Sequence, residues 1–121
     1  VKVVYVAGPY RAATPWQVEC NVREVERWGL EIAKLGAMPL MPHANTRFFN
    51  GLLTSEFWLE GTLELLKRCD AGFFIPGWRA SSGSCTEWDW CDRSGKHRFE
   101  HLEDLLGWLD PRISGRSPTG M

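Results

Sequence analysis

A short apolar run, residues 2–7 (KVVYVA), breaks at Gly8-Pro9 and gives way to a helical period. Apolar side chains then recur at Val18, Val22, Val25, Ile32 and Leu35, the spacing of an amphipathic helix over 16–35. Pro15 stands near its first turn, where a missing N–H costs nothing, and Gly36 just past its end. The pattern then repeats. Residues 37–41 (AMPLM) read as a strand closed by Pro42, 43–54 as a loop, and 55–69 as a helix. Residues 71–76 (AGFFIP) read as a strand, 77–83 (GWRASSG) as a loop, 84–94 as a helix, 96–100 as a weak strand and 102–109 as a short helix. The third strand shows no polar alternation, as expected for one covered on both faces. Strands alternating with helices require an α/β domain with a parallel sheet, whose right-handed crossovers place helices on both faces.

Length and charge narrow the function. The chain has 121 residues, enough for one domain with its own core. Residues 1–110 are expected to form that domain, and the Pro/Gly/Ser/Arg-rich stretch 111–121 a flexible tail. Lys and Arg number 14 against 15 Asp and Glu, which argues against nucleic-acid binding by bulk charge. No apolar run approaches the ~20 residues of a membrane span, and the opening residues lack a signal peptide's cleavage pattern. Cys20, Cys69, Cys85 and Cys91 have no CxxC spacing, so no metal site is expected, nor any cofactor, and the thiols read as reduced and cytoplasmic.

In parallel sheets ligands bind beyond the carboxyl ends of the strands. That rule gathers Gly8-Pro9-Tyr10-Arg11 after the first strand, Pro42-His43 after the second, and Gly77 to Gly83 after the third, leading into a helix that carries Glu87. Gly8 reads as a tight turn or a place of close ligand approach. Arg11 beside a helix start suits a phosphate, and Ser81 and Gly83 at another helix start suit an anion or sugar hydroxyls. Ser84-x-x-Glu87 reads as a capping box, with Glu87 closing on the Ser84 N–H; the same glutamate one turn into the helix could instead serve as a nucleophile or base. Tyr5 reads as a core tyrosine, placed so that its hydroxyl could orient Glu87. Asp70, at the opposite strand end, reads as structural.

Taken in order, Tyr5-x-Ala-Gly8-Pro9-Tyr10-Arg11, Pro42-His43, Cys69-Asp70-Ala71 and Gly77-Trp78-x-x-Ser81-x-Gly83-x-x-x-Glu87 resemble the nucleoside 2-deoxyribosyltransferase-like superfamily. The likeness is to its small DUF4406-type members and spans about residues 2–110. It implies a flavodoxin-like (Rossmann-like) three-layer sandwich with a four- to five-stranded parallel sheet. It also implies cleavage of the N-glycosidic bond of a (deoxy)nucleoside or nucleoside 5′-monophosphate, by hydrolysis or transfer. Glu87 would attack the anomeric carbon and Tyr5 would orient it. Gly8, Arg11, Ser81 and Gly83 would hold sugar and phosphate, and His43 would lie near the base. The sequence departs from the nucleotide hydrolases at Thr62, where they carry an Asp; Glu60, Glu64 or a partner chain are the candidates to replace it. The alternative is a nucleotide or nucleotide-sugar sensor without turnover. A third reading is a partner-binding domain with a Trp-rich interface, since 7 Trp and 6 Phe are many for this length. Phe48, Phe49, Phe57 and Trp58 together predict a homodimer at least.

Overall fold

In the computed structural model, which describes residues 1–114, four parallel strands form one sheet. The elements run β1 (Val3–Ala7), α1 (Pro15–Lys34), β2 (Met38–Leu40), α2 (Pro42–Asn45), α3 (Ser55–Arg68), β3 (Ala71–Phe74), a 3-10 turn (Trp78–Ala80), α4 (Ser82–Ser94), β4 (His97–Phe99), α5 (Leu102–Leu109) and α6 (Pro111–Ser114). Strand order is β2-β1-β3-β4, a flavodoxin-like α/β arrangement. The chain leaves β1 toward β2 on one side and returns past it to β3 on the other. The crevice between the carboxyl ends of β1 and β3 is therefore the switch point.

The period of two along the central strands builds two separate cores. Val4, Val6, Phe73 and Ile75 face α1 and α5, meeting Val25, Ile32 and Leu105. Tyr5, Ala7 and Phe74 face α3 and α4, meeting Leu66, Trp78 and Cys91. Each fully buried aliphatic or aromatic side chain is worth about 1.5–3 kcal/mol, so this alternation fixes the register. It also directs Tyr5 to the face from which α4 arrives.

Local chemistry sets the helix ends. Thr14 caps α1 through Gln17 N–H and Thr54 caps α3 through Phe57 N–H, each at 3.1 Å. Gly36 and Gly95 adopt positive φ just beyond α1 and α4. Asp70 accepts from the Val3 N–H at 2.8 Å and so ties the start of β3 to the start of β1.

Some expectations are corrected. The edge strand β2 is only three residues long and holds Pro39, which an edge tolerates. Pro42 opens the short helix α2 inside the stretch read as loop. The capping box is displaced: helix α4 begins at Ser82, and Ser81 is its cap, with Oγ accepting from the Ser84 N–H at 3.2 Å. Glu87 therefore has no capping role. Of the expected tail, 111–114 form the helical turn α6, and 115–121 lie outside the described residues. Among the described residues no helix is long and apolar enough to cross a membrane. The four cysteines are unpaired.

Candidate functional site

A cavity of about 680 Å³ opens at the switch point. All seven residues selected from the sequence line it: Tyr5, Gly8, Arg11, His43, Ser81, Gly83 and Glu87.

Its chemical centre is a buried pair. The Tyr5 hydroxyl donates to a carboxylate oxygen of Glu87, with Tyr5 1% and Glu87 6% exposed. Burial pushes the Glu87 carboxyl up to about 7, and hydrogen bonding from Tyr5 and Thr62 opposes a larger rise. Burial, and then the neighbouring carboxylate, push the Tyr5 hydroxyl well above its ordinary range. Tyr5 is thus a permanent donor, and Glu87 changes charge near neutrality. The Thr62 hydroxyl donates to the Leu59 carbonyl at 3.0 Å, and it stands near enough to the pair to lower the pKa of both Glu87 and Tyr5.

The glycines differ in cause. A Cβ at Gly8 would stand 2.6 Å from Ile75 Cγ1, so Gly8 is demanded by packing against the end of the neighbouring strand. Its φ is not positive, which removes the left-handed-turn reason. A Cβ at Gly83 would meet only Ser81 Oγ, at 3.9 Å. No packing demands a glycine there; its bare backbone instead keeps the cavity wall open above the start of α4. The N–H groups of Ser82 and Gly83 precede the first intrahelical bonds and stand on that wall. Ser81 spends an acceptor lone pair on its cap and keeps a hydroxyl proton to donate.

Arg11 is exposed at the rim and enters none of the ion pairs among the described residues. Among the described residues it is the one Lys or Arg on the wall. His43 Nε2 lies 3.0 Å from the Gly8 carbonyl and 2.9 Å from that of Pro9, so Nε2 carries a proton and straps α2 to the loop after β1. Burial holds its pKa below the ordinary value, so the ring is neutral at pH 7. Tyr10 packs edge-on against His43 at 5.2 Å and donates to Asn50 Oδ1 at 3.0 Å, bridging the mouth of the cavity.

Sequence reasoning missed the scaffold beneath the loop after β3. Arg98 lies 4.0 Å over Trp88, Trp88 stacks on Trp78 at 4.6 Å, and Arg79 covers the other face of Trp78 at 4.4 Å. Glu100 braces this column, accepting from Trp78 Nε1 at 2.9 Å and from Arg79 at 3.0 Å. The column locks the chain on both sides of Ser81–Gly83 and next to Glu87, and it accounts for two of the surplus tryptophans. The excess of Trp was the available signal.

Two carboxylates line the cavity among the described residues, Glu87 and Glu56. Glu60 and Glu64, considered as replacements for an acid at position 62, do not line it; Glu64 is paired with Arg68 at 2.9 Å. No group of His, Cys, Asp and Glu among the described residues has the makings of a metal site. No protein-family model matches the chain, and no curated protein matches it.

Proposed function

We propose that the protein cleaves the N-glycosidic bond of a (deoxy)nucleoside 5′-monophosphate, with Glu87 as nucleophile. The Tyr5–Glu87 hydrogen bond at the floor of the cavity carries this reading. A carboxylate that titrates near 7 is ionised in a large share of molecules at neutral pH, and its partial desolvation raises its nucleophilicity. Tyr5 fixes its direction, leaving the other oxygen to attack the sugar's anomeric carbon. The bond to the base breaks, the base departs with the bonding electrons, and a glycosyl ester remains on Glu87. Water or a second base then releases the sugar with retained configuration, as in other retaining enzymes. The departing base takes its proton from water or from Glu56, the other acid on the wall. Arg11 and the Ser82 and Gly83 N–H groups supply charge and donors for a phosphate.

Thr62 favours a second reading, a nucleotide or nucleotide-sugar sensor, because a threonine hydroxyl next to Glu87 cannot protonate a leaving base. Incubation with a panel of nucleosides and nucleoside monophosphates, following free base and melting temperature together, separates the two. Base release supports the enzyme, thermal stabilisation without release supports the sensor, and neither response contradicts both.

A further inference from the structure

We infer that Trp58 is a specificity-determining residue whose indole N–H donates to a hydrogen-bond acceptor on the heterocycle of the bound ligand. The inference rests on the nucleotide reading of the cavity and adds to it the residue that reads the base.

Trp58 Nε1 is the one buried side-chain polar atom among the described residues without a partner. Other tryptophans here satisfy theirs: Trp28 Nε1 donates to Glu24 at 3.0 Å and Trp78 Nε1 to Glu100 at 2.9 Å. An unmade buried bond costs free energy, and a ligand that completes it recovers that cost without competing against water. Trp58 lies on the cavity wall. It sits one turn, about 6 Å, before Thr62 on α3, and Thr62 acts on the Tyr5–Glu87 pair. The heterocycle leaves from the carbon that Glu87 attacks, so it lies within a ring's length of that pair. The wall running from Thr62 through Leu59 to Trp58 is uncharged, while Arg11, after β1, and Ser82 and Gly83, at the start of α4, take the anion.

The indole is held from two sides, by Phe57 at 5.1 Å edge-on and Phe49 at 6.1 Å. Its N–H is closed to water in the free protein, so a ligand reaches it only with a local shift of the side chains that cover it. A lone donor selects a base edge that presents an oxo group or an unprotonated ring nitrogen, and it penalises an edge of amino groups.

Trp58→Phe keeps an aromatic wall and deletes the donor. Its loss also assigns the Trp58 indole resonance in a ¹⁵N-labelled spectrum. Wild type and variant are titrated with nucleoside 5′-monophosphates and with ribose 5-phosphate, which lacks a heterocycle. The expected result is a downfield shift of the Trp58 indole proton with the tightest nucleotide. Trp58→Phe should bind that nucleotide roughly tenfold or more weakly, with ribose 5-phosphate affinity unchanged. Tight nucleotide binding with an unmoved indole resonance and an unaffected Trp58→Phe would overturn the inference and leave the proposed function standing. Binding of ribose 5-phosphate with no gain from any base would overturn it too. Binding of neither removes the nucleotide reading itself. If Trp58→Phe does not fold, the wild-type indole resonance, assigned by through-bond experiments, decides alone.

Discussion

Tyr5 and Glu87 are 82 positions apart in sequence and share one buried hydrogen bond. The bond exists because the period of two in β1 turns Tyr5 toward α4, while the cap at Ser81 sets the phase of α4 so that Glu87 faces back. Tyr5 lowers the Glu87 pKa. Tyr5→Phe should therefore move the pH midpoint of activity upward from about 7 and reduce base release roughly 10–100-fold, read from pH–rate profiles of both proteins. An unshifted midpoint would separate Tyr5 from the carboxylate's function.

The same carboxylate shapes stability. Its pKa rises from the ordinary 4.5 to about 7 on folding, so the folded state holds a proton that the unfolded chain has lost. Stability contributed this way is complete below about 4.5 and falls as pH rises to about 7, by about 3 kcal/mol at ~1.36 kcal/mol per pH unit. Glu87→Gln carries no such titration. Denaturant melts from pH 4.5 to 8 should show a falling slope in wild type that is reduced in Glu87→Gln, with the variant gaining relative stability above pH 7. Parallel slopes would place the titration elsewhere.

Arg11 has no partner to lose among the described residues, so its removal should leave the fold unaffected. Arg11→Ala is expected to weaken a nucleoside 5′-monophosphate roughly 10–100-fold and the bare nucleoside hardly at all. Calorimetric titration of both ligands checks this, and equal losses would take Arg11 out of the phosphate subsite.

The segment over the cavity leaves Phe48 73%, Leu52 71%, Leu53 54% and Phe57 52% exposed. Contiguous apolar surface of this kind marks an interface. A homodimer is expected, with this segment at the contact and the partner completing the cavity rim. Light scattering at and above micromolar protein should give at least twice the chain mass; a concentration-independent monomer would contradict it.

Much of this was legible because strong local signals agreed. Val3–Ala7, Pro15–Lys34 and Leu102–Leu109 lie where period, Pro15 and Gly36 place them, and the switch-point rule gathers Gly8, Arg11, His43, Ser81, Gly83 and Glu87, all on the cavity wall. Failures came where two local rules overlapped. Ser81-x-x-Ser84 and Ser84-x-x-Glu87 are both plausible helix starts, and a tertiary partner decided between them, since Glu87 belongs to Tyr5. Gly8 lies just after β1 and on the cavity wall, and Ile75, far along the chain, adds a packing reason for glycine that no local pattern announces. The unpartnered Trp58 N–H had no sequence signal, because an absent hydrogen bond is a property of the packed wall.

The most direct test is free-base release from a panel of (deoxy)nucleoside 5′-monophosphates by wild type and Glu87→Gln side by side. Glu87 caps nothing, so the variant should fold and still bind nucleotide. Wild type is expected to release base, and Glu87→Gln to lose that rate by several orders of magnitude. Base release that persists in Glu87→Gln at a comparable rate would contradict the assignment of Glu87 as the nucleophile.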